Sequence, residues 1–380
     1  MIKKVLVAPD SFKGTMSALE ICLIIEDAFK KFSPETQIVK IPVADGGEGT
    51  VDAYLGGLGG QSRTVRVAGP LGDMVDAKYG ILKDGTAVIE MAAASGLTLV
   101  KGELKALEAS SFGTGQMILD AVENGCGSII LGIGGSAVSD GGIGALSALG
   151  VRFLDANGAD VPPNAKGLLE IHTIDAGGLH PKARNIQIRI ACDVTNPLMG
   201  KNGAAFVYSP QKGATPEQVE RIDAGLAHYN SVLTRHTGAD RKDVPGTGAA
   251  GGIALSLLAF LNAGIESGIE LILDVAGFDS KLKGADFVIT GEGKVDGQSV
   301  QGKVLAGVAR HAAAASVPVV ALVGDVGRGY EKLYQTGITA IFSTNRAAVP
   351  FEVARRTCKE DLSFLMESLL KFYNIKSSSM

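Results

Sequence analysis

Five glycine-rich segments border apolar runs in this chain, and all but the 246–252 segment carry Asp, Glu, Lys or Ser. The clearest is Gly132-Ile133-Gly134-Gly135-Ser136-Ala137-Val138-Ser139-Asp140-Gly141-Gly142, set between the apolar 129–131 and a helix-like 143–149. The others are 8–14 after 5–7, 42–50 after 38–41, 246–252 before an apolar helix, and 290–297 after 287–289. Strand, glycine loop, helix start is the order of an open α/β sheet, whose ligands bind beyond the carboxyl ends of the strands. Glycine lets backbone N–H groups approach an anion, and a helix N-terminus adds partial positive charge. The 132–142 loop matches neither GxGxxG nor GxxxxGK[ST].

Both ends of the chain alternate strand and helix. Strand 5–7, helix 17–32 and strand 38–41 make a βαβ start, with Ser17 and Glu20 spaced as a capping box. Strand 287–289, helix 302–315, strands 317–323 and 340–343 and helix 354–373 repeat the pattern, and 376–380 reads as a frayed tail. The middle differs. Strands 63–67, 78–82 and 86–91 lie close together with no helix between them, which is antiparallel or mixed grammar. Helices follow at 112–124 and 216–234, and strand 186–191 runs into Cys192-Asp193. The expected fold is α/β: a Rossmann-like, doubly wound parallel-sheet domain from 1–64 plus 281–380, with a second α/β domain, 65–280, inserted into it.

At 380 residues the chain is long enough for two such domains. Its 51 glycines are about twice the usual share of about 7%, without a collagen period, so the excess belongs to turns and loops. A formal charge of −4 and the lack of Lys/Arg clusters argue against nucleic acid and membrane surfaces. No signal segment or spanning run is visible, so a cytoplasmic protein is expected. The four cysteines form no CxxC and the five histidines no paired ligand spacing. A nucleophile elbow is also missing, because Ser136 lies in GGSAVSDGG.

The loop residues suit phosphoryl transfer, which needs cations for developing charge, carboxylates for a metal and one carboxylate to orient the attacking hydroxyl. Lys13 is a point charge after the first strand. Asp45 and Glu48 lie three apart and suit Mg²⁺ or substrate hydroxyls, or Asp45 caps the next helix. Asp193 ends an apolar strand and is a candidate base, or an Asx-turn with Thr195. Glu292, Lys294 and Asp296 alternate on what reads as one loop, and Lys212 is a weaker cationic candidate.

Taken together, APDSFKGTMSA (8–18), PVADGGEGT (42–50), IEMAAASGL (89–97), GIGGSAVSDGG (132–142), ACDVTNPL (191–198), PQKGA (210–214), GAAGGI (248–253) and ITGEGKVDGQS (289–299) resemble the bacterial glycerate kinases of the first type. The resemblance covers almost the whole chain. It implies ATP-dependent, Mg²⁺-assisted phosphorylation of D-glycerate by a Rossmann-like domain carrying an inserted α/β domain. Two departures stand out: Val138 and Ser139 replace the usual Thr and Asn, and Lys303 is followed by Val304 rather than Pro. Neither removes a charge.

With roles assigned from the chemistry, Asp193, Lys13 and Lys294 are expected to be catalytic. Asp10, Ser11, Asp45, Gly46, Gly47 and Glu48 are expected to bind substrate, and Gly134, Gly135, Ser136, Gly248, Gly251 and Gly252 to bind nucleotide. Glu292 and Asp296 are expected to hold Mg²⁺. The 2-phosphate is the expected product and the 3-phosphate the alternative; a homodimer is the assembly to consider. An NAD-dependent hydroxy-acid dehydrogenase would need GxGxxG after the first strand, where PDSFKG stands. A non-enzymatic sugar-acid sensor would leave the loop carboxylates without a use.

Overall fold

The computed structural model describes residues 2–297 and 304–377. The expected start of a helix at 302, the departure at Lys303 and the tail residues 378–380 lie outside these. In chain order the strands are β1 (Lys4–Pro9), β2 (Gln37–Lys40), β3 (Gly60–Ala68), β4 (Met74–Leu82), β5 (Thr86–Glu90), β6 (Ser128–Gly132), β7 (Arg152–Leu154), β8 (Thr173–Asp175), β9 (Gln187–Ala191), β10 (Asn262–Glu266), β11 (Phe287–Val295), β12 (Val319–Val326) and β13 (Ile338–Ser343). The chain divides into two compact units. The first comprises Met1–Asp45, Asp52–Gly59 and Ile269–Met380, and the second Gly46–Val51 and Gly60–Gly268.

The first unit is built on a five-stranded sheet of order β13-β12-β11-β1-β2, with every neighbouring pair parallel. Val5 to Ala8 are fully buried, as expected of a parallel strand covered on both faces. The helix Ala18–Phe32 begins with the expected capping box. Ser17 Oγ accepts from Glu20 N at 3.2 Å, and Ser17 N donates to Glu20 Oε2 at 2.8 Å. Its buried residues Ile21, Cys22, Ile25, Ala28 and Phe29 recur at helical spacing. They share a core with Val5, Val7, Ile289 and Leu322, joined by Leu362, Met366 and Leu370 of the final helix, Phe351–Ser377.

The second unit carries a six-stranded sheet of order β10-β9-β6-β5-β4-β3. β5, β6, β9 and β10 run parallel, while β3 and β4 form the expected antiparallel edge. A short β7–β8 pair stands apart. Ile129, Leu131, Ile188 and Ile190 form the centre of the core, packed with Met117, Ile118 and Leu226 of flanking helices.

One local expectation is corrected. The 290–297 segment is not a loop: β11 runs on through Val295, pairing Glu292 with Val323 and Lys294 with Asp325. Gly291 serves close strand packing, because a Cβ there would lie 2.3 Å from Leu322 O. Among the described residues no helix is long and apolar enough to cross a membrane.

Candidate active site

In the first unit the chain leaves β1 for β2 on one side, while β11 continues to β12 and β13 on the other. The sheet order therefore reverses between β1 and β11, and in open α/β sheets the ligand crevice lies at that switch point, beyond the carboxyl ends of the strands. Asp10 follows β1, and Glu292 lies near the end of β11. Both line a cavity of about 590 Å³, together with Ser11, Lys13, Asp45 and Lys294. The structure thus brings six of the expected site residues around one space.

Asp10 is 9% exposed. Its Oδ1 accepts from Ser11 N at 2.6 Å and more weakly from Ser11 Oγ at 3.3 Å. Burial, reinforced by the negative charge of Asp45, pushes its carboxyl up to about 6, against the opposing pull of those hydrogen bonds and of Lys13. Lys13 Nζ lies 3.7 Å from Asp45 Oδ2, with the lysine largely exposed. Lys294 Nζ lies 3.6 Å from Asp325 Oδ2 across the β11–β12 pair, and both are exposed. The cavity wall therefore mixes exposed cations with carboxylates, of which Asp10 and Glu292 are buried. Asp296 lies one residue beyond β11 and is not among the lining residues.

The remaining expected residues belong to the second unit. There the 46–51 segment packs on the ends of β6 and β9. A Cβ at Gly132 would sit 2.5 Å from Gly46 O, so only glycine permits this approach. Val51 N donates to Glu90 Oε1 at 2.8 Å, and Thr50 Oγ1 to Gly47 O at 2.6 Å. Glu48 is exposed.

Gly134 and Gly135 are exposed and Ser136 is buried. The 246–252 loop packs against the same segment from behind. Gly141 N donates to Gly251 O at 2.9 Å, and a Cβ at Gly251 would meet Val138 O at 2.1 Å. Gly248 N donates to Asn196 O at 3.0 Å, so that N–H already has a protein acceptor.

Asp193 is exposed at the end of β9, and its Oδ1 accepts from Ser267 Oγ at 2.7 Å and Gly268 N at 3.0 Å. It thereby satisfies the first N–H of the helix Gly268–Val275. Lys212 is 2% exposed. Its Nζ donates to Ser136 Oγ at 3.1 Å and Val138 O at 2.5 Å, and burial pulls its ammonium down to about 7.

A model of the glycerate kinase family matches residues 5–374. A glycerate kinase of Halalkalibacterium halodurans is 46% identical over 341 residues, covering 89% of this chain and 90% of its own length. A glycerate 2-kinase of Escherichia coli K12 is 46% identical over 342 residues, 90% of each. A crystal structure of a candidate glycerate kinase 2 from Salmonella typhimurium LT2 superposes with a TM-score of 0.91 at 40% identity, covering 100% of both chains. This chain belongs to the glycerate kinase family. The mixed α/β architecture and the family resemblance read from its eight motifs both hold.

The cavity of this family member also includes residues that the motifs do not mark. Asp325, in Gly324-Asp325-Val326-Gly327, repeats the pattern of an apolar strand ending in Gly and Asp, so a sequence signal for it exists. Arg355 and Cys358 line it from the final helix, where nothing in local spacing singles them out.

Proposed function

We propose that this chain transfers the γ-phosphoryl group of ATP to the 2-hydroxyl of D-glycerate, giving 2-phospho-D-glycerate. Family membership and the glycerate 2-kinase relative support the substrate and the position. The observation that carries the chemistry is the cavity at the switch point, where buried Asp10 stands with Asp45, Lys13, Glu292 and Lys294.

A glycerate hydroxyl is a weak acid, so a carboxylate that orients it and takes its proton late suits a loose phosphoryl transition state. Asp10 is assigned this role, because a base that titrates near 6 is better matched to neutral pH than an ordinary carboxylate. Lys13 and Lys294 compensate charge on the transferred group and the substrate carboxylate, with Ser11 and Asp45 orienting the acceptor. A second reading assigns the hydroxyl to Asp193, and its rigid anchoring by Ser267 and Gly268 favours it. For the second unit, Gly46, Gly47 and Glu48 are the proposed substrate contacts.

The exposed Gly134–Gly135 turn and Ser136 are proposed to receive ATP phosphates through backbone N–H groups. Gly248, Gly251 and Gly252 back that loop. A bound Mg²⁺ would supply charge neutralisation at the phosphates. Glu292, which lines the cavity, would hold it, with Asp296 just beyond the strand as the weaker candidate. Their oxygen-only donors suit a hard cation, and among the described residues no three His, Cys, Asp or Glu side chains converge as a ready metal set. That matches an ion bound through one or two carboxylates plus phosphates and water. Four free cysteines fit a reducing cytoplasm.

A coupled ADP-release assay tests the proposal. D-Glycerate should drive Mg²⁺-dependent ADP formation that Asp10→Asn slows by about 10²–10⁴-fold. ADP release unaffected by glycerate would sink it.

A further inference from the structure

Lys212 sits on the short segment Pro210–Lys212, and it is 2% exposed. Both hydrogen bonds its ammonium makes go to the glycine loop: Ser136 Oγ at 3.1 Å and Val138 O at 2.5 Å. Among the described residues no carboxylate lies within ion-pair distance of it. Asp140, the nearby acid that acts on it, is fully buried and already accepts from Ser111 N at 2.7 Å, Ser111 Oγ at 2.8 Å and Gly142 N at 3.0 Å. Ser139 Oγ meets Ser209 Oγ at 3.0 Å, a second tie between the same two segments. The loop is thus pinned from within at 136, 138, 139 and 140, while Gly134 and Gly135 stay exposed.

Burying an ammonium without an ion-pair partner is expensive. A neutral donor such as Gln would offer N–H groups to the same two acceptors with no charge to desolvate. Tethering alone therefore does not account for a lysine here. A positive charge under an exposed glycine turn does have a use if the turn receives an anion, because a cation in a low-dielectric setting acts strongly on a nearby phosphate. The ammonium's low pKa follows from the same burial, and an incoming anion would favour its protonated form.

We infer that Lys212 is a positioning residue for nucleotide: the buried cation that shapes the 134–138 loop and makes it electropositive towards ATP phosphates. The inference rests on the proposed phosphate-binding role of that loop. Lys212 acts through the loop and its field rather than by reaching the transferred group.

The test compares Lys212→Gln, which keeps donors and removes charge, with Lys212→Met, which removes both. Gly135→Ala probes the loop itself. Calorimetric ADP affinity, the KM for ATP, the KM for D-glycerate and thermal unfolding are measured for each. Lys212→Gln should weaken ADP and raise the KM for ATP at least tenfold, leave the KM for glycerate within twofold, and keep the wild-type unfolding temperature or exceed it. Lys212→Gln with wild-type ADP affinity and KM for ATP would reduce the lysine to a structural tether. If Lys212→Met fails to fold, the Gln variant still decides the question. If Gly135→Ala leaves ADP affinity unchanged, the loop reading fails and this inference with it. If Gly135→Ala weakens ADP while Lys212→Gln does not, the inference about Lys212 alone fails.

Discussion

Thr290 Oγ1 donates a hydrogen bond of 2.8 Å to Ala8 O, across the two strands that flank the switch point. Thr290 pairs with Ala8 and Gly291 with Pro9, and Asp10 N then donates to Gly291 O at 2.8 Å. Parallel pairing thus continues to the last residue before the cavity. Asp10 leaves β1 at a position fixed against Glu292 on β11, so two carboxylates from distant parts of the chain reach one space. Positioning on strands rather than on free loops suits a site that must hold its geometry.

Asp10→Asn should trade activity for stability. Burial raises the folded pKa of Asp10 from the ordinary 3.8 to about 6. The stabilisation it contributes is therefore complete below about pH 4 and is lost as pH rises through 6. At pH 8 the buried charge is a cost. The neutral amide should raise the unfolding free energy there by up to about 3 kcal/mol, the equivalent of a shift of about two pK units. The same change should slow turnover by about 10²–10⁴, the range of a general base. Wild-type kcat/KM should show an acidic limb near 6 that the variant lacks. Denaturant unfolding at pH 5 and 8, beside the pH–rate profile, checks all three.

Asp193→Asn separates the two readings of the base. With Asp10 as base, the loss falls on the start of the helix Gly268–Val275, whose Gly268 N–H is held by Asp193. Stability should drop by about 0.5–2 kcal/mol, as for a lost helix cap, with turnover within about tenfold of wild type. If turnover instead slows about a hundredfold or more while the KM for glycerate holds, the role moves to Asp193.

Glu292→Gln should raise the Mg²⁺ concentration for half-maximal rate by about tenfold or more, since one of very few protein oxygen ligands would lose its charge. Titrating Mg²⁺ at saturating ATP reads this directly. Glu292 is 8% exposed, so thermal unfolding is followed alongside to separate the metal effect from folding.

Much of the fold is legible in the sequence because its determinants are local. The Ser17–Glu20 capping box, the fully apolar 5–8 run and the 112–124 helix each carry their own signal. The 290–297 segment misleads because alternating Gly-Glu-Gly-Lys looks like a loop until β12 supplies a partner for its backbone. At the site, residues at strand ends are readable from the rule that ligands lie beyond carboxyl ends. Asp10, Lys13, Asp45, Glu292 and Lys294 emerge that way. Arg355 and Cys358 do not, since a helix of 27 residues gives no hint of which turn faces a cavity. Nor does sequence show that Lys212 is buried; only tertiary packing places its ammonium under Ser136 and Val138.

The most direct test is the identity of the product. Wild-type protein, D-glycerate, ATP and Mg²⁺ are incubated together, and the phosphorylated product is read by phosphorus and proton NMR. The account predicts 2-phospho-D-glycerate, formed in step with ADP and about 10²–10⁴-fold more slowly with Asp10→Asn. Formation of 3-phospho-D-glycerate, or of no phosphorylated glycerate while ADP appears, would contradict it.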